Sequence, residues 1–304
     1  MELLALKCAL RLSVRSMNSS DRVWVITGAS SGLGLALAEA ALTAGESVVG
    51  TARRAERFDA LGERFPDTFL GVEHDVRDVE LAAKVTRAAV ARFGRVDVLV
   101  NNAGVGQLGA AEEVTDEQLR DMLAQHLLGP AAYVRAVLPY MRAEGSGTIV
   151  QMSSQGGRRS FAGVGSYSAG KFALEGWSEA LAAEVAPFGV RVLIVEPSRF
   201  RTGFNDAHVL LAADQDSAYD GILEAVRADM TTSGGRQEGD PVRGAAVIRD
   251  VLSAAEIPLR LALGREAVRN LIEGYTAGLE QTREWASLSE SADYPGVPSS
   301  ARTL

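Results

Sequence analysis

Residues 23–27, VWVIT, run into a glycine-rich turn and then into LGLALAEAALTAG, an Ala/Leu-rich stretch that stops at Gly45. Strand, turn and helix follow one another with almost no spacer, and the order then recurs. SVVGTAR, FLGVEHDV, VDVLVNNAG, GTIVQMSS and VRVLIVEP read as strands. ELAAKVTRAAVARFG, a long stretch from about Thr115 to Met141 and a segment beginning near Tyr167 read as helices. The strands are Val/Ile/Leu runs too uniformly apolar to have a wet side, so helices must cover both faces of a parallel sheet. The fold class expected is α/β, a doubly wound, Rossmann-like parallel sheet in a single domain. Its ligand crevice lies beyond the carboxyl ends of the strands, where their order reverses.

From Thr202 to Asp240 the regularity stops, and the stretch contains the turn-rich TTSGGRQEGD. It reads as a flexible segment over the crevice. A helix restarts with Asp240 as cap and Pro241 in its first turn, and another runs from about Gly264 to Trp285. No linker divides the chain, so residues 21–286 are expected to form one domain, followed by a solvated tail over 287–304. The opening MELLALKCALRLSVRS is apolar with Lys7, Arg11 and Arg15 spread through it, unlike a signal peptide. It reads as a poorly ordered extension over residues 1–20, with Met17 as an alternative start and a targeting or membrane-surface helix as the other reading.

A formal net charge of −8 argues against general affinity for nucleic acid or anionic membrane. No apolar run is long enough to span a bilayer. The single cysteine, Cys8, rules out an internal disulfide framework and fits a reducing, cytoplasmic setting. His74, His126 and His208 lie far apart in sequence with no second thiol, so no metal is expected.

TGASSGLG places Gly28, Ser30, Ser31, Gly32, Leu33 and Gly34 between the first strand and first helix. Glycine there lets backbone N–H groups approach a pyrophosphate at the positive end of the helix dipole, although a strand-to-helix corner can need glycine for packing alone. The position in the first βα unit favours a dinucleotide. The second strand ends in Ala52, where an acid would bind a free ribose 2′-hydroxyl, and continues into Arg53 and Arg54. Two guanidinium groups suit a 2′-phosphate, which favours NADP(H) over NAD(H); the plainer alternative is a solvated basic turn. In YSAGK, Tyr167 and Lys171 share a helix face one turn apart.

With HDV at 74–76, NNAG at 101–104, the serine pair 153–154 and VEPSRFRT, these motifs stand in the order of the short-chain dehydrogenase/reductase family. From about Val23 to Phe204 the chain resembles its single-domain members, of the retinol/steroid-dehydrogenase or carbonyl-reductase kind. The resemblance implies adenine contacts at Asp75 and Val76, and cofactor contacts at Asn102, Ala103, Gly104, Pro197 and Thr202. It implies that Ser154, thirteen residues before the tyrosine, holds the substrate oxygen. Tyr167 then exchanges a proton with that oxygen while hydride moves to or from the nicotinamide. A free phenol titrates near 10, so Lys171, which should also hold the nicotinamide ribose, and the oxidised nicotinamide are expected to lower it.

Three positions depart from the family pattern. Gly170 stands for a serine, and Ser198 for the glycine of a Pro-Gly turn. His126 replaces an asparagine that bends its helix and holds a relay water. His126 either holds such a water itself or is a packed core histidine.

The function expected is hydride transfer between NADP(H) and a carbonyl or alcohol substrate by a set of four groups, Ser154, Tyr167, Lys171 and His126. The alternatives are a non-catalytic nucleotide-binding protein of the same fold and, less favoured, a sugar-nucleotide epimerase or dehydratase. Gln107, Gln155, Arg158, Phe200, Phe204 and the 203–239 segment are expected around the substrate, and a homo-oligomer is the expected assembly.

Overall fold

The structure, a computed structural model, describes residues 22–206, 209–232 and 234–298. The expected extension before residue 21 and the last residues of the tail lie outside this range. In chain order the first half contains β1 (Val23–Thr27), α1 (Gly32–Thr43), β2 (Ser47–Ala52), α2 (Asp59–Arg64), β3 (Phe69–Glu73), α3 (Ala82–Phe93) and β4 (Val98–Asn101). The second half contains β5 (Gly106–Leu108), α4 (Asp116–Leu123), α5 (Gly129–Glu144), β6 (Gly147–Met152), α6 (Gly165–Val185) and β7 (Val190–Pro197). It continues with β8 (Leu210–Ala212), α7 (Asp220–Thr232), α8 (Pro241–Ser253), β9 (Arg260–Leu263) and α9 (Arg265–Glu290).

Seven strands form one parallel sheet in the order β3-β2-β1-β4-β6-β7-β9. β1 lies between β2 and β4, with Ile26 opposite both Gly50 and Val100, so the chain reverses its winding there. Every residue of β1 is buried. Trp24 and Ile26 join Leu37 and Ile248 in one apolar layer, while Val25 joins Val85, Tyr133, Val137 and Leu181 in the other. The period-two alternation of a strand thus feeds two cores, and both come from covering a sheet that cannot face water.

Local signals start the helices where the sequence places them. Asp240 accepts from the amides of Val242 (2.8 Å) and Arg243 (3.3 Å), with Pro241 in the first turn of α8. Thr115 and Gln118 form a reciprocal capping box before α4.

The structure differs from the sequence reading in four places. The helical stretch from Thr115 is interrupted by a π-helical turn at Ala124–Leu128. The 202–240 segment is not irregular throughout, because it contains α7 and the short strand β8, which pairs with β5 in a second, two-stranded sheet. An unforeseen seventh strand, β9, closes one edge beside β7. The last helix continues beyond Trp285 to Glu290.

Candidate active site

Beyond the carboxyl ends of the strands lies a cavity of about 1160 Å³. The turn residues Gly28, Ser30, Ser31, Gly32 and Leu33 line it, together with Arg53, Arg54, Asp75, Val76, Asn102, Ala103 and Gly104. Ser154, Tyr167, Lys171, His126, Pro197 and Thr202 line the same cavity. Gly34, expected with them, is not on its wall.

The turn is built for close approach. Gly28 and Gly32 have φ of +65° and +56°, a region that L side chains rarely adopt. A Cβ on Gly34 would collide with the Gly28 carbonyl and the Asn102 side chain. Asn102 does not point its amide at a ligand, because its Nδ2 donates to the carbonyls of Thr27 (3.0 Å) and Gly28 (3.1 Å). It braces the turn from the end of β4. Asp75 is partly engaged by Arg77 at 2.8 Å, which holds its carboxyl below the usual range. Arg53 and Arg54 are both exposed at the end of β2. The glycine cradle, the helix N-terminus behind it and the two guanidinium groups fit the phosphates of a nicotinamide dinucleotide.

Tyr167 and Lys171 occupy one face of α6, as four-residue spacing requires. The Lys171 Nζ donates to the Met152 carbonyl at 2.7 Å and lies 5.8 Å from the Tyr167 ring centre. Across Gly156, whose added Cβ would lie 3.4 Å from each, the Ser154 hydroxyl faces the phenol ring and accepts from the Gly156 amide at 3.0 Å. Phe204 and His126 pack edge-on to the phenol, with ring centres 5.9 Å and 5.3 Å away.

The electrostatics of this protein alone differ from the sequence expectation. Burial pushes the Tyr167 hydroxyl up to about 12, with Ser154 opposing the shift, and burial pulls Lys171 down to about 7 while Glu175 opposes. Desolvation penalises whichever form carries charge, so it moves phenol and ammonium in opposite directions. Lysine helps form phenolate only when protonated, and its own proton is weakly held.

His126 sits within the π-helical turn and is 1% exposed. Its Nε2 donates to the Val105 carbonyl at 2.8 Å, leaving Nδ1 as an acceptor with no partner. A Cβ built on Gly104 would lie 3.2 Å from that Nδ1 and 3.8 Å from the Lys171 ammonium, so both atoms border one small space. Burial and the Lys171 charge hold the imidazole well below its ordinary range, so it is neutral. Gly170 now has a reason. A Cβ there would be 3.0 Å from the His126 Cβ and 3.3 Å from its ring, so the missing serine makes room for the histidine. Ser198 similarly packs its hydroxyl against Gly264.

Residues 22–209 match the short chain dehydrogenase family model. The chain belongs to the short-chain dehydrogenase/reductase family. As a member it is similar to Oxidoreductase BOA17 of Botryotinia fuckeliana, 34% identical over 88% of this chain and 98% of that protein. It is also similar to 3-ketodihydrosphingosine reductase of Bacteroides thetaiotaomicron, 35% identical over 80% of this chain and 88% of that protein. A short-chain dehydrogenase structure from Streptomyces avermitilis superposes with a TM-score of 0.85 and 46% identity, covering 91% of this chain and all of that one.

Short-chain dehydrogenases of this architecture bind NAD(P)(H) at the crevice described, and the oxidoreductase class follows from membership. Among the described residues no helix is long and apolar enough to cross a membrane, and no cluster of potential metal ligands occurs. The substrate side of the cavity includes Gln107, Gln155, Phe200 and Phe204 as expected, whereas Arg158 is not on its wall. Arg158 instead donates to the Tyr275 hydroxyl at 3.0 Å. From the 203–239 segment, expected there as a whole, Leu210, Val226 and Met230 of β8 and α7 line the cavity, although the sequence did not single them out. The helical spacing of Leu223, Val226 and Met230 was the available signal.

Proposed function

We propose that this short-chain dehydrogenase reduces a ketone or aldehyde with NADPH, or runs the reverse oxidation, on a substrate carrying an apolar chain. The observation that carries this reading is the convergence of Ser154, Tyr167 and Lys171 on the cavity that also contains the glycine turn. When bound, the dinucleotide supplies or accepts the hydride. Ser154 holds the substrate oxygen, and Tyr167 gives it a proton as negative charge develops there. A phenol near 12 remains a much stronger acid than the secondary alcohol it would form, so this transfer runs downhill. Lys171 restores the proton, and the bare His126 Nδ1, which borders the same small space as the ammonium, can accept a hydrogen bond from a water held between them.

Arg53 and Arg54, with Ala52 in place of an acid, support NADPH over NADH. The apolar wall of Val164, Phe204, Leu210, Val226 and Met230 supports a chain-bearing substrate, a reading to which the similarity with a 3-ketodihydrosphingosine reductase adds.

A carbonyl panel with NADPH and NADH tests this. Oxidation of NADPH by long-chain ketones is expected. Tyr167→Phe should lower kcat by about 10²–10⁴-fold while NADPH still binds. NADPH binding without turnover on any carbonyl would instead place the protein among non-catalytic members of the fold.

A further inference from the structure

One turn beyond Lys171 on α6, Glu175 is buried beneath the active site, and across from it the last residues of β7 bring in Glu196. Each side chain is only 2% exposed. Their shared cation is Arg260 of β9, whose Nε donates to Glu175 Oε2 at 3.0 Å and lies 4.0 Å from Glu196 Oε1. The guanidinium also donates to the exposed Glu179 at 2.7 Å. Arg158, the other cation that acts on Glu196, is bonded to Tyr275. Glu175 Oε1 and Glu196 Oε1 are both buried with no donor. The two buried carboxylates have one divided guanidinium as their bonded cation, with Arg158 and Lys171 acting only through space, and each keeps one oxygen with no hydrogen. A single proton held between the two orphaned oxygens supplies that missing hydrogen.

We infer that Glu175 and Glu196 form a proton-sharing carboxyl pair that acts through Lys171, placing a second negative charge beneath the ammonium when the shared proton leaves. The pair is a positioning element for the relay and touches neither substrate nor cofactor. Glu175 is the member that acts on Lys171 directly, supporting its charged form against desolvation. Burial, followed by the neighbouring Glu175, raises the proton affinity of Glu196 while burial lowers that of Lys171, so the two approach one another. When two groups of similar proton affinity interact, protons leave in broadened, shared steps. In the wild-type protein the second negative charge on the pair therefore appears as Lys171 begins to deprotonate, and opposes that loss. The functional meaning rests on Lys171 serving the relay as proposed above, but the proton sharing is measurable whether or not the enzyme turns over.

The chain contains three lysines, Lys7, Lys84 and Lys171, so ε-¹³C-lysine NMR on the full protein gives a readable spectrum, with Lys171→Met assigning the third signal. The Lys171 titration is expected to be broad in the wild type. Glu196→Gln should make it a simple one-proton curve with a lower midpoint, and Glu175→Gln should lower the midpoint further, by about one pH unit or more. Glu179→Gln should leave it in place. Melting curves establish which variants are folded, and either folded glutamine variant suffices. An unchanged Lys171 curve in that variant overturns the inference. The wild type provides a second reading without substitution: infrared spectra in D₂O should show a protonated carboxyl stretch at pH 6 that fades above pH 7, and its absence at pH 6 likewise overturns the pair. Loss of turnover in every form with these titrations intact would remove the relay reading and leave the pair standing.

Discussion

Gly170 and His126 are two departures from one family pattern, and they meet in space. Adding a hydroxymethyl group at 170 would drive it into an imidazole already in contact, and overpacking of this kind costs about 1–3 kcal/mol. Gly170→Ser should therefore lower the urea midpoint, while Gly170→Ser combined with His126→Asn should recover most of the loss. Equal losses in both backgrounds would mean that the residues are independent. The same burial predicts how His126 titrates. Because desolvation and Lys171 both hold its proton affinity down, its ring signals should keep their neutral shifts from pH 8 to pH 6. His126→Ala should reduce turnover, and His126→Asn should largely preserve it. The sequence showed the substitution at 126 but left its role open, because the choice depends on which ring nitrogen is bonded. That is set by the Val105 carbonyl, 21 residues away.

Among the elements, α7 is tied over the cavity by Arg199 on Asp229, by Asn205 on the Met230 carbonyl and, most deeply buried, by Glu113. Glu113 accepts from the amides of Ala110 at 2.7 Å and Asp216 at 2.9 Å, and from Arg227 of α7 at 2.6 Å. The two backbone donors and then the guanidinium pull Glu113 down to about 2. A folded value below the unfolded one means that this tether is fully present above about pH 4.5 and is lost as pH falls towards 2. Glu113→Gln should speed hydrogen exchange across α7 and raise KM for a chain-bearing ketone more than it lowers kcat. Unchanged exchange would show that the other ties and the apolar contacts of Leu223 suffice. Helix α7 was missed in the sequence although its apolar spacing was present, because turn-rich TTSGGRQEGD follows it and an irregular stretch precedes it. β5 and β8 have three residues each and stabilise only each other, so neither has a periodicity long enough to read.

For the whole molecule, the parallel sheet was legible because both of its faces are covered, which forces unbroken apolar strands separated by amphipathic helices. The edge strand β9 was not legible, since RLAL carries the Arg260 that reaches back to α6. The same buried charges shape stability against pH. Burial and the neighbouring Glu175 raise the proton affinity of Glu196 in the fold above its ordinary value of 4.5, so its stability contribution is full below about 4.5 and falls as pH rises beyond it. Lys171 gives up its proton in the fold at about 7 against 10.5 when unfolded, so stability rises with pH above 7. Urea midpoints at pH 5, 7 and 9 should pass through a shallow minimum near neutrality, and Lys171→Met should remove the upper rise. A steady decline in both proteins would contradict the assignment.

The two-stranded sheet outside the main one joins the Gly106 amide to the Val209 carbonyl at 2.9 Å, one residue past the carbonyl that steadies His126. The peptide unit linking Val105 to Gly106 therefore serves both sides at once, its carbonyl anchoring the imidazole and its amide anchoring the strand that walls the cavity.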